Sequence, residues 1–141
     1  MDSTAKLLRE AYDALNDQLV ARLVELGHDA VRPAHAAVFQ HLDEGGTTVT
    51  VLAERAQMTK QSMAELVRHL ESWSYLERVT DPNDRRAKVV TATDWGQQIL
   101  QIVTEFEQQT EAWLDEQLGA RRAANLRQDL DAIRSAAPTS G

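Results

Sequence analysis

Met58-Thr59-Lys60-Gln61-Ser62-Met63-Ala64-Glu65-Leu66-Val67-Arg68-His69-Leu70-Glu71-Ser72-Trp73 is the stretch on which the fold of this chain turns. Thr59 opens a helix, because its hydroxyl can accept from a backbone N–H that the first turn leaves unsatisfied. Met58 and Met63 stand at the N′ and N4 positions, the spacing of a hydrophobic staple that fixes how the chain enters the helix. Met63, Leu66, Val67, Leu70 and Trp73 recur at steps of three and four, which predicts one buried stripe. The opposite face carries Gln61, Glu65, Arg68 and Ser72, flanked by Lys60 and His69. A helix fixed along its apolar side and showing donors and acceptors on the other suits the base edges of a DNA major groove. Such a face is ordinarily only solvated surface, so its neighbours in the sequence decide the matter.

Upstream, Glu44-Gly45-Gly46-Thr47-Thr48 reads as a loop, and Thr50 as the cap of a short helix through Leu52 and Ala56. Downstream, Leu76-Glu77-Arg78-Val79-Thr80 and Ala87-Lys88-Val89-Val90-Thr91 are β-prone runs around Asp81-Pro82-Asn83-Asp84-Arg85-Arg86, which predicts a hairpin with that segment as its tip. Arg85, Arg86 and Lys88 place positive charge at and just beyond the tip. An arginine there can lie on phosphate or enter a narrow minor groove, where the potential is most negative. Helix, turn, helix and basic hairpin together make a winged helix.

At this level of detail the chain resembles the MarR family of transcription regulators. The resemblance rests on Leu52-Ala53-Glu54-Arg55, Met58-Thr59-Lys60-Gln61-Ser62-Met63, Leu70-Glu71, Tyr75-Leu76-Glu77-Arg78, the hairpin Asp81 to Lys88, and Thr93-Asp94-Trp95-Gly96. Its more specific parts are the Asp-x-Arg of the hairpin and the Thr-x-x-Gly helix start. The chain departs from the family pattern at Trp73, where an aliphatic residue is common, at Ser74, where a helix-ending glycine is usual, and at Ala92, where leucine is common.

Length and composition bound the reading. The chain has 141 residues, one domain by the usual prior and enough for a core. Few aromatics and abundant Leu, Ala, Val and Gln favour a mostly helical protein. With no cysteine, disulfides, thiolate metal sites and thiol redox switches are excluded. The N-terminal segment is polar, and nothing resembles a signal peptide or membrane span, so a cytoplasmic location is expected. A net charge of −7 argues at first against a nucleic-acid partner. Its distribution reverses the argument. Residues 55 to 88 hold seven Lys/Arg against five Asp/Glu, while the rest of the chain carries an excess of nine negative charges.

In chain order, residues 3 to 26 place Leu8, Tyr12, Leu15, Leu19, Leu23 and Leu26 on one helical stripe ended by Gly27. Pro33 opens a helix through Asp43. Thr93 caps a long helix to about Leu118, with Ile99, Val103, Phe106, Thr110, Trp113 and Leu114 in helical register and Gly119 as its stop. A last helix over about 120 to 136 carries Leu126, Leu130 and Ile133, and Ala137 to Gly141 reads as a frayed end. The fold expected is mostly α with a small β-hairpin wing. The winged helix-turn-helix spans 33–93, and helical dimerisation segments lie at 1–30 and 94–136.

Candidates for chemistry are few. His41, Asp43 and Glu44 lack the helical i, i+4 spacing of a metal pair. The acidic face of Glu105, Glu107, Glu111, Asp115 and Glu116 has no nucleophile beside it and reads as solvated surface. No phosphate-cradling loop or nucleophile elbow occurs, so neither an enzyme nor a cofactor is expected. The function expected is a homodimeric, sequence-specific DNA-binding regulator, most readily a repressor, on a pseudo-palindromic site. Thr59, Lys60, Gln61, Ser62 and Glu65 are assigned to base edges and Arg68 and His69 to phosphates. In the wing, Arg86 is assigned to the minor groove with Asp84 holding it, Arg85 to backbone phosphate, and Lys88 adds charge. The resemblance further implies release by a small hydrophobic or aromatic effector, with Tyr12, His35, Phe39 and Trp73 as candidate pocket residues. A winged-helix protein-interaction module or antirepressor that has lost DNA binding is the alternative, and the chain's acidity favours it.

Overall fold

Three helix ends are closed by the same backbone device. In the computed structural model, which describes residues 1–136, α1 (Thr4–Glu25) starts on Ser3, whose hydroxyl accepts from the Lys6 N–H at 3.2 Å. It ends with the His28 N–H returning to the Leu23 carbonyl at 2.8 Å and Gly27 at φ +89°. The same six-to-one return closes α3 (Val49–Ala56), from Met58 to Ala53, and α4 (Lys60–Ser72), from Tyr75 to Leu70. This ending needs one left-handed residue. Gly27 supplies it freely, whereas Gln57 (φ 55°) and Ser74 (φ 65°) carry a side chain into a region that only glycine enters without strain.

Pro33 opens α2 (Pro33–Gln40), which stops three residues short of the expected Asp43 because the chain turns at His41. α3 is capped by Thr48, whose hydroxyl accepts from Val51 at 3.2 Å, in place of the expected Thr50. Thr50 instead lies within the first turn. After α4 come β1 (Leu76–Asp81) and β2 (Asp84–Ala92), then α5 (Asp94–Leu118) and α6 (Ala120–Ala136). Gly119, at φ +83°, separates the last two. The expected frayed end, Ala137 to Gly141, lies outside the described residues.

The hairpin is antiparallel, Leu76 opposite Ala92 through Thr80 opposite Lys88, with a register shift at Thr80/Asp81. Its turn is shorter than the expected tip: Pro82 and Asn83 alone lie outside the strands, and Arg85 and Arg86 belong to β2. The Asp81 carboxylate accepts from the Asn83 N–H at 2.9 Å, so the turn is closed by a side chain, and the register shift absorbs the misfit. At its base the ribbon gains a third pairing, since Thr47 and Val90 exchange both backbone hydrogen bonds, at 3.0 and 2.8 Å. Val89 and Val90 are therefore both buried despite facing opposite ways. Gly46 lies against Val89, where a Cβ would stand 2.5 Å from the valine methyl.

The chain divides into two compact units, Met1–Val103 and Thr104 onward. The core of the first joins Leu19 and Leu23 of α1, Val38 and Phe39 of α2, Leu52 of α3, Met63, Val67 and Leu70 of α4, Leu76 and Val90 of the ribbon, and Ile99 and Val103 of α5. Of the stripe expected on α4, Leu66 and Trp73 are only half buried. In the second unit α6 folds back on the end of α5, Ala123 is buried, and Arg127 is paired with Glu111 and Asp115.

Candidate nucleic-acid interface

The residues expected to face DNA are all exposed. Thr59, Lys60, Gln61, Ser62, Glu65, Arg68 and His69 line the outer side of α4, and Asp84, Arg85, Arg86 and Lys88 the outer half of β2. They are not equivalent. The Thr59 hydroxyl accepts from the Ser62 N–H at 3.0 Å and lies 2.8 Å from the Ser62 hydroxyl, to which it donates. With its donor spent and one lone pair in use, Thr59 is a cap that also orients Ser62. Ser62 keeps its own proton for a partner, and Lys60, Gln61 and Glu65 keep free heads beside it.

On the wing, the Asp84 carboxylate accepts from the Arg86 N–H at 3.0 Å and lies 3.5 Å from its guanidinium. That pair explains the Asp-x-Arg motif. One carboxylate holds both ends of an arginine whose side chain is 94% exposed. Lys88 reaches across to the Thr80 hydroxyl at 3.2 Å.

Ion pairing sorts the seven local cations. Arg55 grips Asp43 with two hydrogen bonds of 3.0 Å and also donates to the His41 carbonyl at 2.7 Å. That guanidinium holds the Asp43 carboxyl below its ordinary value. Arg78 donates to Glu71 at 2.9 Å, tying β1 to α4. Among the described residues Lys60, Arg68, Arg85 and Lys88 carry no ion pair, and Arg86 has only its own neighbour. Asp43 is thus engaged structurally, and no cluster with His41 and Glu44 forms a metal-ligand set among the described residues.

A junction behind α4 positions this face. The Thr93 hydroxyl accepts from the Gly96 N–H at 3.1 Å, capping α5, and donates to the Ser74 carbonyl at 2.6 Å. Gly96 passes so close to Tyr75 that a Cβ there would lie 2.0 Å from the Tyr75 carbonyl oxygen and 3.1 Å from the Phe39 ring. The Thr-x-x-Gly motif is therefore a docking joint between the end of α4 and the start of α5. Trp95 stacks on Tyr75 and packs against His28, with centroids at 5.8 and 4.7 Å. His28 Nδ1 lies 2.8 Å from the Tyr75 hydroxyl. Burial lowers the His28 pKa and raises that of Tyr75. This His28–Tyr75 pair spans 47 residues and has no local signal in the sequence.

The four effector candidates differ in exposure, and two of them share α2, His35 and Phe39, one helical turn apart. Tyr12 is 63% exposed on α1 and Phe39 is 1% exposed in the core. His35 and Trp73 do meet, edge to face at 5.0 Å, with His69 as the third ring of the group.

Comparison with known proteins agrees with this geometry. The sequence profile of the MarR family matches residues 31–87. The chain is 32% identical over 72 residues to the transcriptional regulator HosA of Escherichia coli O111:H-, covering 51% of this chain and 53% of HosA. It is 23% identical over 95 residues to the exopolysaccharide II synthesis transcriptional activator ExpG of Rhizobium meliloti strain 1021, covering 67% and 49%. The chain thus spans about half the length of the curated relatives it matches. Its fold matches that of S. aureus MepR in a DNA complex, with a TM-score of 0.80 at 19% identity over 96% of this chain and 98% of that one. No helix among the described residues is long and apolar enough to cross a membrane.

Proposed function

We propose, from the match of residues 31–87 to the MarR family profile and the winged helix-turn-helix those residues form, that this chain is a homodimeric, sequence-specific DNA-binding transcription regulator of that family acting as a repressor. The observation that carries this reading is the concentration of unpaired cations. Among the described residues Lys60, Arg68, Arg85 and Lys88 have no carboxylate partner and Arg86 stands in solvent, on a chain whose net charge is −7. Cations left without partners are available to phosphates, and the acidic remainder orients the protein on the duplex. Residues 33–93 form the DNA-binding part. Gln61, Ser62, Lys60 and Glu65 read base edges, Thr59 sets the helix start, Arg68 and His69 hold phosphates, and Arg86 enters the minor groove.

Residues 1–30 and 94–136 supply dimer contacts. Leu7, Leu8 and Tyr12 are exposed on α1, as are Trp113, Leu130 and Ile133 in the C-terminal unit. A second copy covering these side chains would set the two α4 helices about one helical turn apart, roughly 34 Å, and so demand an imperfect palindrome. A small hydrophobic or aromatic effector acting on that separation would shift the population out of the DNA-competent form. Selection from a random-site duplex library at fixed salt tests the reading. The expected product is a palindrome with half-sites about one turn apart, and Gln61→Ala should relax its sequence preference more than it weakens binding. A chain that enriches no sequence and binds genomic fragments without salt dependence would instead be an interaction module, the reading its acidity favours.

A further inference from the structure

Three rings wedge between α2 and α4, and their hydrogen bonds have a forced direction. The Arg32 backbone N–H points at His35 Nδ1 from 3.2 Å. An N–H can only donate, so Nδ1 of His35 is the lone-pair nitrogen, and the neutral ring carries its proton on Nε2. His35 sits at the N3 position of α2 and closes back on the N-cap N–H, as a capping-box residue does. Its Nε2 lies 3.3 Å from His69 Nδ1. The proton on His35 Nε2 therefore donates to His69 Nδ1, and the proton of neutral His69 must sit on its far nitrogen, Nε2. Trp73 holds the arrangement, stacked on His69 at 5.6 Å and edge-on to His35 at 5.0 Å.

We propose that His35 is a positioning residue for DNA recognition: through this relay it locks exposed His69 in the tautomer and ring orientation that aim an uncharged Nε2–H away from α2, toward a DNA phosphate. The DNA half of the proposal rests on the function proposed above; the tautomer half does not. Three observations agree with a neutral relay. His35 is buried, and burial, ahead of any other cause, lowers its pKa. Protonating Nδ1 of His35 would set an N–H against the Arg32 N–H and open the first turn of α2. Protonating Nδ1 of His69 would set two N–H groups against each other. The same geometry disfavours a two-histidine metal site, because the Nε2 lone pair that a metal needs is replaced on His35 by the ring's proton. A turn of the His69 ring by half would put carbon where Nδ1 now accepts, so the relay selects one ring orientation as well as one tautomer.

The test uses the full chain, nitrogen-15 labelled, with ring nitrogens read by long-range proton–nitrogen correlation above neutral pH. In the unaltered protein the His69 nitrogens are expected at the limiting positions of a fixed Nε2–H form. His35→Phe, which keeps a ring but can neither accept nor donate, should move them to tautomer-averaged positions. His35→Gln, whose amide oxygen can accept from Arg32 while its NH2 donates to His69, should restore the fixed form. In a titration with the selected duplex, His35→Phe and His69→Ala should each weaken binding roughly three- to tenfold, the size of one hydrogen bond, and the double variant no further. Averaged or Nδ1-protonated His69 in the unaltered protein would overturn the lock whether or not DNA binds. Losses of affinity that add in the double variant would overturn the link to recognition while leaving the regulator reading intact.

Discussion

The joint behind α4 and the face in front of it are built on opposite rules. At the joint, Thr93, Gly96, Tyr75, Trp95 and His28 each have a partner, and the backbones approach so closely that one added methyl does not fit. On the face and wing, Lys60, Gln61, Glu65, Arg68 and Arg85 end in solvent. Joint and face are therefore separable. Changes at the joint should appear as stability, and changes on the face as affinity, because a side chain without folded-state partners has little to lose on unfolding.

The sharpest break in that comparison is Gly96→Ala. With a Cβ at 2.0 Å from a backbone oxygen, α5 must shift. We expect a loss of about 3 kcal/mol or more by chemical denaturation, or no folded protein; a variant as stable as the parent would show that the joint is looser than described. Second is Arg86→Ala, expected to lose on the order of 1–3 kcal/mol of DNA affinity at fixed salt with an unchanged melting temperature. Equal affinity would remove the wing from recognition.

Third, Ser74→Gly relieves the left-handed end of α4 and should stabilise by about 1 kcal/mol without altering DNA binding. Destabilisation would mean that the Ser74 side chain does more than occupy a glycine's place. The smallest effect is on pH dependence. His28 and His35 are held below the ordinary 6.5 by burial, opposed at His28 by Asp29 and reinforced at His35 by His69 and Arg32. Below pH 6.5 the unfolded chain binds protons that the folded chain refuses, so stability falls on acidification until the folded values are passed. Unfolding midpoints measured at stepped pH should show that decline, shallower in His35→Gln, and a flat profile across the window would refute it.

What could be read from the sequence was what is encoded locally. Gly27 and Gly119 as stops and Thr59 and Thr93 as caps each depend on residues within one turn, and each stands where expected. Thr48 and Thr50 were indistinguishable by type, because what decides between them is where Thr47 is drawn by Val90, 43 residues on. The wing's turn was drawn too long, since the Asp81 carboxylate that tightens it acts on Asn83 and leaves the β-pattern of the flanking runs unchanged. At the interface the residue types were legible but their ranks were not. Thr59 spends its hydroxyl on Ser62, and His69 is tied to a histidine 34 residues away, facts that no periodicity carries. Tyr12 and Phe39 look alike as aromatic residues on helices, yet one is solvated and the other is core.

The bracing of the ribbon has a consequence for how such a protein can diverge. Thr47 clasps Val90 and Gly46 lies on Val89, so the foot of the hairpin tolerates neither insertion nor deletion without losing a strand of its support. Beyond Lys88 toward Pro82 nothing comparable grips it. The outer ribbon is free to lengthen two residues at a time, which keeps every inward side chain inward, and its reach can thereby vary between descendants while the body that carries it stays fixed.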